Sequence, residues 1–455
     1  MQNIKNKTIT VLGLGKSGLA AAKLAKKMGA DVFASDNSAS DDIKKNKDIL
    51  TGIGIGVEID GHSDRVYENK NLIILSPGIP PDIPILRKAK EKHIKIVSEI
   101  EFASWFSLAK IIAITGTNGK TTTTILIKNT LKEAGYNAIV AGNIGTALSE
   151  KVESLSKSDI IVAEISSFQL ETITKFRPFI SLVLNITPDH LDRYKNMASY
   201  IHAKSMIFKN QTTKNFTILN YDDPVVSKFE NITKAHVSLF SRKIQACNAF
   251  IKDEKIFMRL DAEEKEICRV DELRIKSTHN LENMLATICV AAIFKVDPAT
   301  IKSTLTKFVG FPHKTEFVNK INNVTFINDS KATNVDAAKA AIENTKAPII
   351  LIIGGMHKGG SYVYLEQLIK NKVKHLILMG AARDIIKKDI GELVPLTYVY
   401  SMDDAVEKAF SLSKPNDTIL LSPACSSFDM FKNYIERGNL FKNAVNTLKS
   451  RIEHA

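Results

Sequence analysis

The sequence predicts an α/β protein of three domains, and three observations carry that reading. Short apolar runs alternate with helix-period stretches along most of the chain, the pattern of parallel sheets covered by helices. Two runs pass from an apolar strand through a glycine-rich turn into a helix, one near residue 13 and one near residue 116. A chain of 455 residues also exceeds a single core, since domains usually run to about 100–200 residues.

Taken in order, residues 8–12, 72–76, 111–115, 159–164 and 181–186 read as buried strands, as do 216–220, 349–353, 375–379 and 418–422. An apolar helix covers Leu19 to Met28, and Asp36 ends the strand that follows it. Ala198 to Lys209 is a helix-like run. Residues 236–276 are charged and poorly periodic, which predicts a short antiparallel excursion without a readable function. Leu281 to Phe294 is helical, is stopped by Asp297-Pro298, and is followed by a second short helix. Breaks at Phe106 to Lys110 and at Gly310-Phe311-Pro312 give domains 1–108, 109–310 and 311–455.

Composition excludes several classes. At 44% hydrophobic and 24% charged, the chain is neither disordered, collagenous nor a disulfide scaffold. Cys247, Cys268, Cys289 and Cys425 form no CxxC pair, which argues against structural zinc. No apolar run nears the roughly 20 residues a membrane helix needs, and the chain enters a strand-like ITVLGLG almost at once. No membrane insertion and a cytoplasmic location are therefore expected. The net charge is +13, but the lysines are interleaved with Asp and Glu and form no basic stripe. Nucleic acid is not an expected partner, whereas an anionic small molecule would be drawn by such a field.

The strongest chemical signal is the strand Ile111-Ile112-Ala113-Ile114-Thr115 followed by Gly116-Thr117-Asn118-Gly119-Lys120-Thr121-Thr122. Glycines let backbone N–H groups converge on phosphate oxygens, and the helix that opens there adds its positive end. Lys120 can reach the terminal phosphates and the Thr121 hydroxyl can ligate Mg²⁺. Ile114 stands where the general GxxxxGK[ST] form has its first glycine. This loop predicts a bound nucleoside triphosphate. Gly13-Leu14-Gly15-Lys16-Ser17-Gly18, with Asp36 about 20 residues on, matches a dinucleotide fingerprint. Alone it would fit an NAD-dependent oxidoreductase. Beside a complete ATP loop, it reads instead as the seat of a diphosphate belonging to the substrate. Glu164 and Asp189-His190 follow strands, where parallel sheets place their ligands. A carboxylate suits Mg²⁺, while imidazole is an unusual ligand for so hard a cation.

GTNGKTT, EISSFQLE, NITPDHLDRY, HNLENMLA, INDSKATN and LLSPACSSFDMFKNYIERG together resemble the Mur ligases, from Gly13 to Gly438. The resemblance implies a Rossmann-like N-terminal domain, a central P-loop ATPase-like domain with a parallel sheet, and a Rossmann-like C-terminal domain. It implies an ATP-dependent ligase that activates UDP-N-acetylmuramoyl-L-alanine as an acyl phosphate and adds D-glutamate. A relative adding another amino acid is the alternative, although no DNPR-type string occurs here. A monomer acting only on small molecules is expected.

Residue by residue, the resemblance assigns Gly116 to Thr122 to ATP, with Asn280 and Asn283 on its adenine side and Lys314, Asp329 and Lys331 closing over it. Thr121, Glu164, His190 and Lys204 would serve two Mg²⁺ ions. Leu14, Lys16, Ser17, Gly18, Asp36, Asn37, Ser76, Pro77, Gly78, Asn143 and His190 would hold the uridine substrate. Thr333, Lys358, Ser427 and Phe428 would receive D-glutamate, with Ser427 placed before a helix beginning near Phe428. Lys120, Glu164, His190 and Lys204 would be catalytic, Lys204 as a carbamate. A lysine crowded by Mg²⁺ and Lys120 favours its neutral amine, which adds CO₂ to become an anionic oxygen ligand. Three positions depart from the family pattern. Lys314 replaces an Arg, Ser38 stands where some members have Arg, and Tyr434 where Phe is frequent.

Overall fold

The computed structural model describes residues 2–190, 193–260 and 263–453. Its contacts divide the chain into two compact units, Met1–Ile186 with Ala198–Lys276 and Asn280–Phe308, and Thr187–Met197 with Ser277–His279 and Val309–Ala455.

The first unit contains two sheets. One has strands β1 (Thr8–Leu12), β2 (Asp31–Ser35), β3 (Gly56–Glu58), β4 (Leu72–Leu75) and β5 (Lys95–Ser98), all parallel in the order β3-β2-β1-β4-β5. Both faces are covered, so every residue of the LIIL run in β4 is buried. The order reverses between β1 and β4, and a crevice opens beyond their carboxyl ends.

The other sheet has β6 (Lys110–Thr115), β7 (Ala138–Gly142), β8 (Ile160–Glu164), β9 (Ile180–Val183), β10 (Phe216–Asn220), β11 (His236–Ser241), β12 (Ala249–Lys252), β13 (Lys255–Leu260) and β14 (Glu263–Arg269). Their order is β14-β13-β12-β11-β10-β9-β6-β8-β7, parallel from β7 to β12 and antiparallel only from β12 to β14. The antiparallel excursion expected over 236–276 is thus confined to 249–269, since β11 extends the parallel sheet. The ninth strand stops at Val183 rather than running to residue 186. Asn185 turns its side chain to Asn118, and the Ile186 N–H donates to Asp223 Oδ2 at 3.0 Å. The helix-like run at 198–209 is an α-helix, Met197–Ser205, ending in a 3₁₀ turn, Met206–Phe208.

The second unit holds β15 (Glu316–Ile321), β16 (Val324–Asn328), β17 (Ile349–Gly354), β18 (Val373–Met379), β19 (Leu396–Tyr398) and β20 (Thr418–Leu421) in the order β15-β16-β20-β17-β18-β19. Only β15 is antiparallel. Alternate residues of the β17 run serve two cores. Ile349, Leu351 and Ile353 face one, and Ile350 and Ile352 the other, which is why the run is apolar throughout. No helix among the described residues is long and apolar enough to cross a membrane.

One carboxylate ties the two sheets of the first unit together. Glu101, buried on the helix Glu99–Ser104, accepts from Trp105 Nε1 at 2.8 Å and Thr174 Oγ1 at 2.7 Å. It also accepts from the backbone N–H groups of Thr174, Lys175 and Phe176. Burial alone would raise its pKa, but these donors outweigh it and hold the carboxyl below the usual range. Glu101→Ala orphans all of them and should cost about 3 kcal/mol or more in urea denaturation at neutral pH. Because the folded-state pKa is depressed, the wild type should lose this increment as pH falls through that pKa, and the variant has none to lose.

Candidate functional site

The loop after β6 is shaped by two glycines of positive φ, Gly116 at 152° and Gly119 at 86°. A Cβ on Gly119 would lie 2.3 Å from Asn283 Oδ1, so only glycine lets the helix Thr278–Ile293 approach. Asn185 fastens the other side, accepting from Asn118 N at 2.8 Å and donating to Asn118 O at 3.1 Å. Lys120 opens the next helix, and its Nζ donates to the carbonyls of Gly116 and Thr117, both at 2.8 Å. Lys204, 2% exposed, donates to the same Gly116 carbonyl at 2.8 Å. Its Nζ lies 4.6 Å from the centre of the Tyr200 ring.

Glu164 ends β8 beside this loop and is 2% exposed. Thr121 Oγ1 donates to its Oε2 and Asn143 Nδ2 to its Oε1, each at 2.8 Å. Both donors are neutral, and among the described residues no ion pair reaches this carboxylate. Among the described residues no three His, Cys, Asp or Glu side chains gather as a metal site. One hydroxyl and one carboxylate nevertheless fit Mg²⁺, which takes few protein oxygens and completes its shell with phosphate and water. Asn283 accepts from Thr123 Oγ1 at 3.1 Å, and its buried Nδ2 has no partner among the described residues. Asn280 lies one turn earlier on the same helix.

A cavity of about 760 Å³ opens at the crevice of the first sheet, within the range of small-molecule sites. Of the residues that the resemblance assigns to the uridine substrate, Lys16, Ser17, Asp36, Asn37, Ser76, Pro77 and Gly78 line it. Leu14 and Gly18 do not. Leu14 is buried and offers its N–H to Asp36 Oδ2 at 2.6 Å. A Cβ on Gly18 would lie 1.7 Å from Gly13 O, which makes this glycine a packing requirement of the helix. His62, Ile79 and Ile83 also line the cavity, and sequence reasoning missed them.

In the second unit, His190 has φ 54° and sits beside Asp189, Nε2 to Oδ2 3.7 Å. Asn334 Nδ2 donates to the same Asp189 oxygen at 3.1 Å. Leu191 and Asp192 of the DHLDR string lie outside the described residues. Asp329 follows β16, accepting from Thr315 N at 2.9 Å and Ser422 Oγ at 3.1 Å. Burial pushes its carboxyl up to about 7. Lys314 shares this corner and lowers the Asp329 pKa in part, while Lys331 N donates to His313 O at 3.0 Å and Thr333 N to Lys331 O at 2.9 Å.

Met356 and Ser426 exchange backbone hydrogen bonds at 2.9 and 3.0 Å. This bridge brings the loop carrying Lys358 beside the loop carrying Ser427. The helix expected near Phe428 is absent. Ser427 O accepts from the N–H groups of Met430 and Phe431 in a tight turn, and the helix starts only at Tyr434. Ser427 therefore offers a buried hydroxyl without a helix N-terminus, and Phe428 is 66% exposed.

Three family models match the chain, the MurD-like N-terminal domain of Mur ligases over residues 7–98, the Mur ligase middle domain over 114–291, and the Mur ligase glutamate ligase domain over 313–425. UDP-N-acetylmuramoylalanine--D-glutamate ligase of Thermoanaerobacter pseudethanolicus is 44% identical over 98% of this chain and 99% of its own. The chain belongs to the Mur ligase family. The protein of the same name from Pelotomaculum thermopropionicum is 39% identical over 99% of both chains. The solved structure of UDP-N-acetylmuramate-alanine ligase from Thermotoga maritima shares the fold, with TM-score 0.59 and 19% identity over 98% of this chain and 100% of its own.

In this Mur ligase the second unit has an organiser that sequence reasoning passed over. Arg437 is 1% exposed. Its guanidinium donates to Ser330 Oγ (3.0 Å), Ser330 O (2.8 Å), Cys425 O (3.2 Å) and Ser426 O (3.3 Å). One planar fork thus pins the Asp329–Thr333 loop to the Cys425–Ser427 loop. Burial lowers its pKa to about 10, against the pull of Cys425, Asp429 and Asp329. Arg437→Lys, a point donor, cannot reach both loops and should lose about 3 kcal/mol in chemical denaturation, whereas an unchanged midpoint would contradict this pinning.

Proposed function

We propose that this chain is an ATP-dependent amide ligase of peptidoglycan precursor synthesis, joining D-glutamate to UDP-N-acetylmuramoyl-L-alanine. The observation that carries the reading is the ATP loop packed on Glu164, in a chain 39–44% identical over nearly its whole length to relatives bearing that activity in their names. A carboxylate is a poor electrophile, and phosphorylation gives it a leaving group. The γ-phosphoryl of ATP passes to the carboxylate oxygen, the amine of D-glutamate attacks the acyl carbon, and the tetrahedral adduct expels phosphate. Phosphoryl transfer of this kind is catalysed mainly by positioning and charge stabilisation.

The residue roles are as follows. Gly116 to Thr122 cradle the phosphates, with Lys120 moving from the loop carbonyls to the transferred group, and Asn280 and Asn283 hold the adenine. Lys314, Asp329 and Lys331 bind ATP as well. Thr121, Glu164, His190 and carbamylated Lys204 serve two Mg²⁺ ions. Magnesium supplies charge neutralisation at the phosphates. The first cavity binds the uridine diphosphate through Lys16, Ser17, Asp36, Asn37 and Ser76 to Gly78, with Leu14 and Gly18 shaping its loop. Asn143 and His190 reach the rest of that substrate. Thr333, Lys358, Ser427 and Phe428 receive D-glutamate. This division of labour follows domains 1–108, 109–310 and 311–455, in a cytoplasmic monomer.

With ATP and UDP-N-acetylmuramoyl-L-alanine, phosphate release across a panel of D- and L-amino acids should be high for D-glutamate alone. Equal turnover with L-alanine or a diaminoacid would sink this assignment. Lys204→Ala should nearly abolish turnover, and acetate should partly restore it by supplying the missing carboxylate oxygen. A fully active alanine variant would rule out the carbamate.

A further inference from the structure

We propose that a second cavity, at the amino ends of β6, β9 and β10, binds a small phosphorylated anion through Lys110, Lys175, Arg177 and the Asn215 amide. Its place, its charge and one buried donor lead there.

Lys110 begins β6, whereas the ATP loop leaves the opposite end of that strand. Six residues, roughly 20 Å of extended chain, separate the two. The cavity measures about 590 Å³, within the range of small-molecule sites. Its wall joins Trp105 and Ser107, which follow the helix Glu99–Ser104, to Lys175, Arg177 and Asn215 of the nine-stranded sheet's loops.

The lining carries three cations, Lys110, Lys175 and Arg177, and no carboxylate. Their side chains form no ion pair or hydrogen bond among the described residues. Aromatic rings place the first of them, Lys110 Nζ lying 4.7 Å from the centre of Phe179. A fourth cation, Lys95, stands 5.0 Å over the Trp105 ring. Glu101 touches this region too, but its oxygens are taken by Trp105 Nε1, Thr174 and the N–H groups of Lys175 and Phe176. Uncompensated cations around one concavity focus the field there and draw anions to it.

The buried donor is Asn215, 8% exposed. Its Oδ1 accepts from Thr212 N at 3.0 Å and Thr212 Oγ1 at 3.3 Å, which fixes the orientation of the amide. Nδ2 is therefore the atom left over, and it has no partner among the described residues. Asn210, by contrast, spends its Nδ2 on Thr174 O and Phe176 O, at 3.1 Å each, and so steadies the loop that carries Lys175 and Arg177. The charged groups of this wall are all donors. A phosphate group brings about −1.5 to −2 charge at neutral pH and three strong acceptor oxygens, so one group can engage several of them. Arg177 adds a planar fork suited to it.

Trp105 is the chain's single tryptophan and lines this cavity, so its emission reports the site. Titrating the intact protein with inorganic pyrophosphate should change that emission saturably. Arg177→Ala and Lys175→Ala should each raise the half-saturating concentration about tenfold, the worth of one charge-assisted hydrogen bond. Asn215→Asp keeps an acceptor for Thr212 but turns a carboxylate on the anion, and should abolish the response. Arg177 is exposed, so its variant still decides the matter if the Asn215 variant fails to fold. The response should persist in Lys120→Ala, which separates it from pyrophosphate held at the ATP loop. Glucose 6-phosphate distinguishes the sources: a matching response assigns the site to phosphate esters, and none assigns it to free diphosphate. Emission unmoved by millimolar pyrophosphate overturns the proposal. So does a response lost in Lys120→Ala, or one that Arg177→Ala and Lys175→Ala leave at the wild-type concentration.

Discussion

The site is organised around one buried carboxylate, Glu164. Glu164 lies at the carboxyl end of β8, and its two oxygens orient Thr121 from the ATP loop and Asn143 from the turn after β7. A carboxylate buried among neutral donors is costly to hold ionised unless a cation joins it. Held by two neutral donors, the group is an oxygen ligand of the kind Mg²⁺ takes. The neighbouring backbone is shaped to permit it. Gly142 adopts φ 99°, and a Cβ there would meet Glu164 O at 2.4 Å, so glycine alone lets the Asn143 turn close on the carboxylate.

The second unit solves a similar problem with the opposite charge. Arg437 gathers backbone carbonyls, not carboxylates, and so can tie two loops together without neutralising the site they frame. Lys331 stands in the first of these loops, and Lys358 in the loop that the Met356–Ser426 bridge holds beside the second.

Chemistry carried by contiguous residues was legible in the sequence. The ATP loop, the Asp36 fingerprint and the strand-end Glu164 each lie within a short string whose backbone geometry follows from its glycines. What escaped depends on distant partners. Arg437 looks like an ordinary charged residue of an amphipathic helix, and only a fold that brings Ser330 beside it, 107 residues away, reveals its burial. Glu101 and His62 are hidden for the same reason. The helix expected at Phe428 failed because a serine followed by apolar residues reads as a cap. Ser427 instead uses its carbonyl to close a turn, while Arg437 takes the carbonyls just before it.

The two glycine loops show why such motifs signal phosphate more clearly than they signal the ligand. Gly18 is fixed by contact with Gly13 O, and Gly119 by contact with Asn283. Both are packing constraints that any ligand of the loop would share. The backbone that suits a dinucleotide therefore suits a uridine diphosphate equally, and the fingerprint cannot separate them. Discrimination has to come from side chains beyond the diphosphate, on the parts of the cavity wall that the glycine loop does not form. Those positions vary without disturbing the loop, because the loop's own geometry is settled by glycines and by the Leu14–Asp36 hydrogen bond.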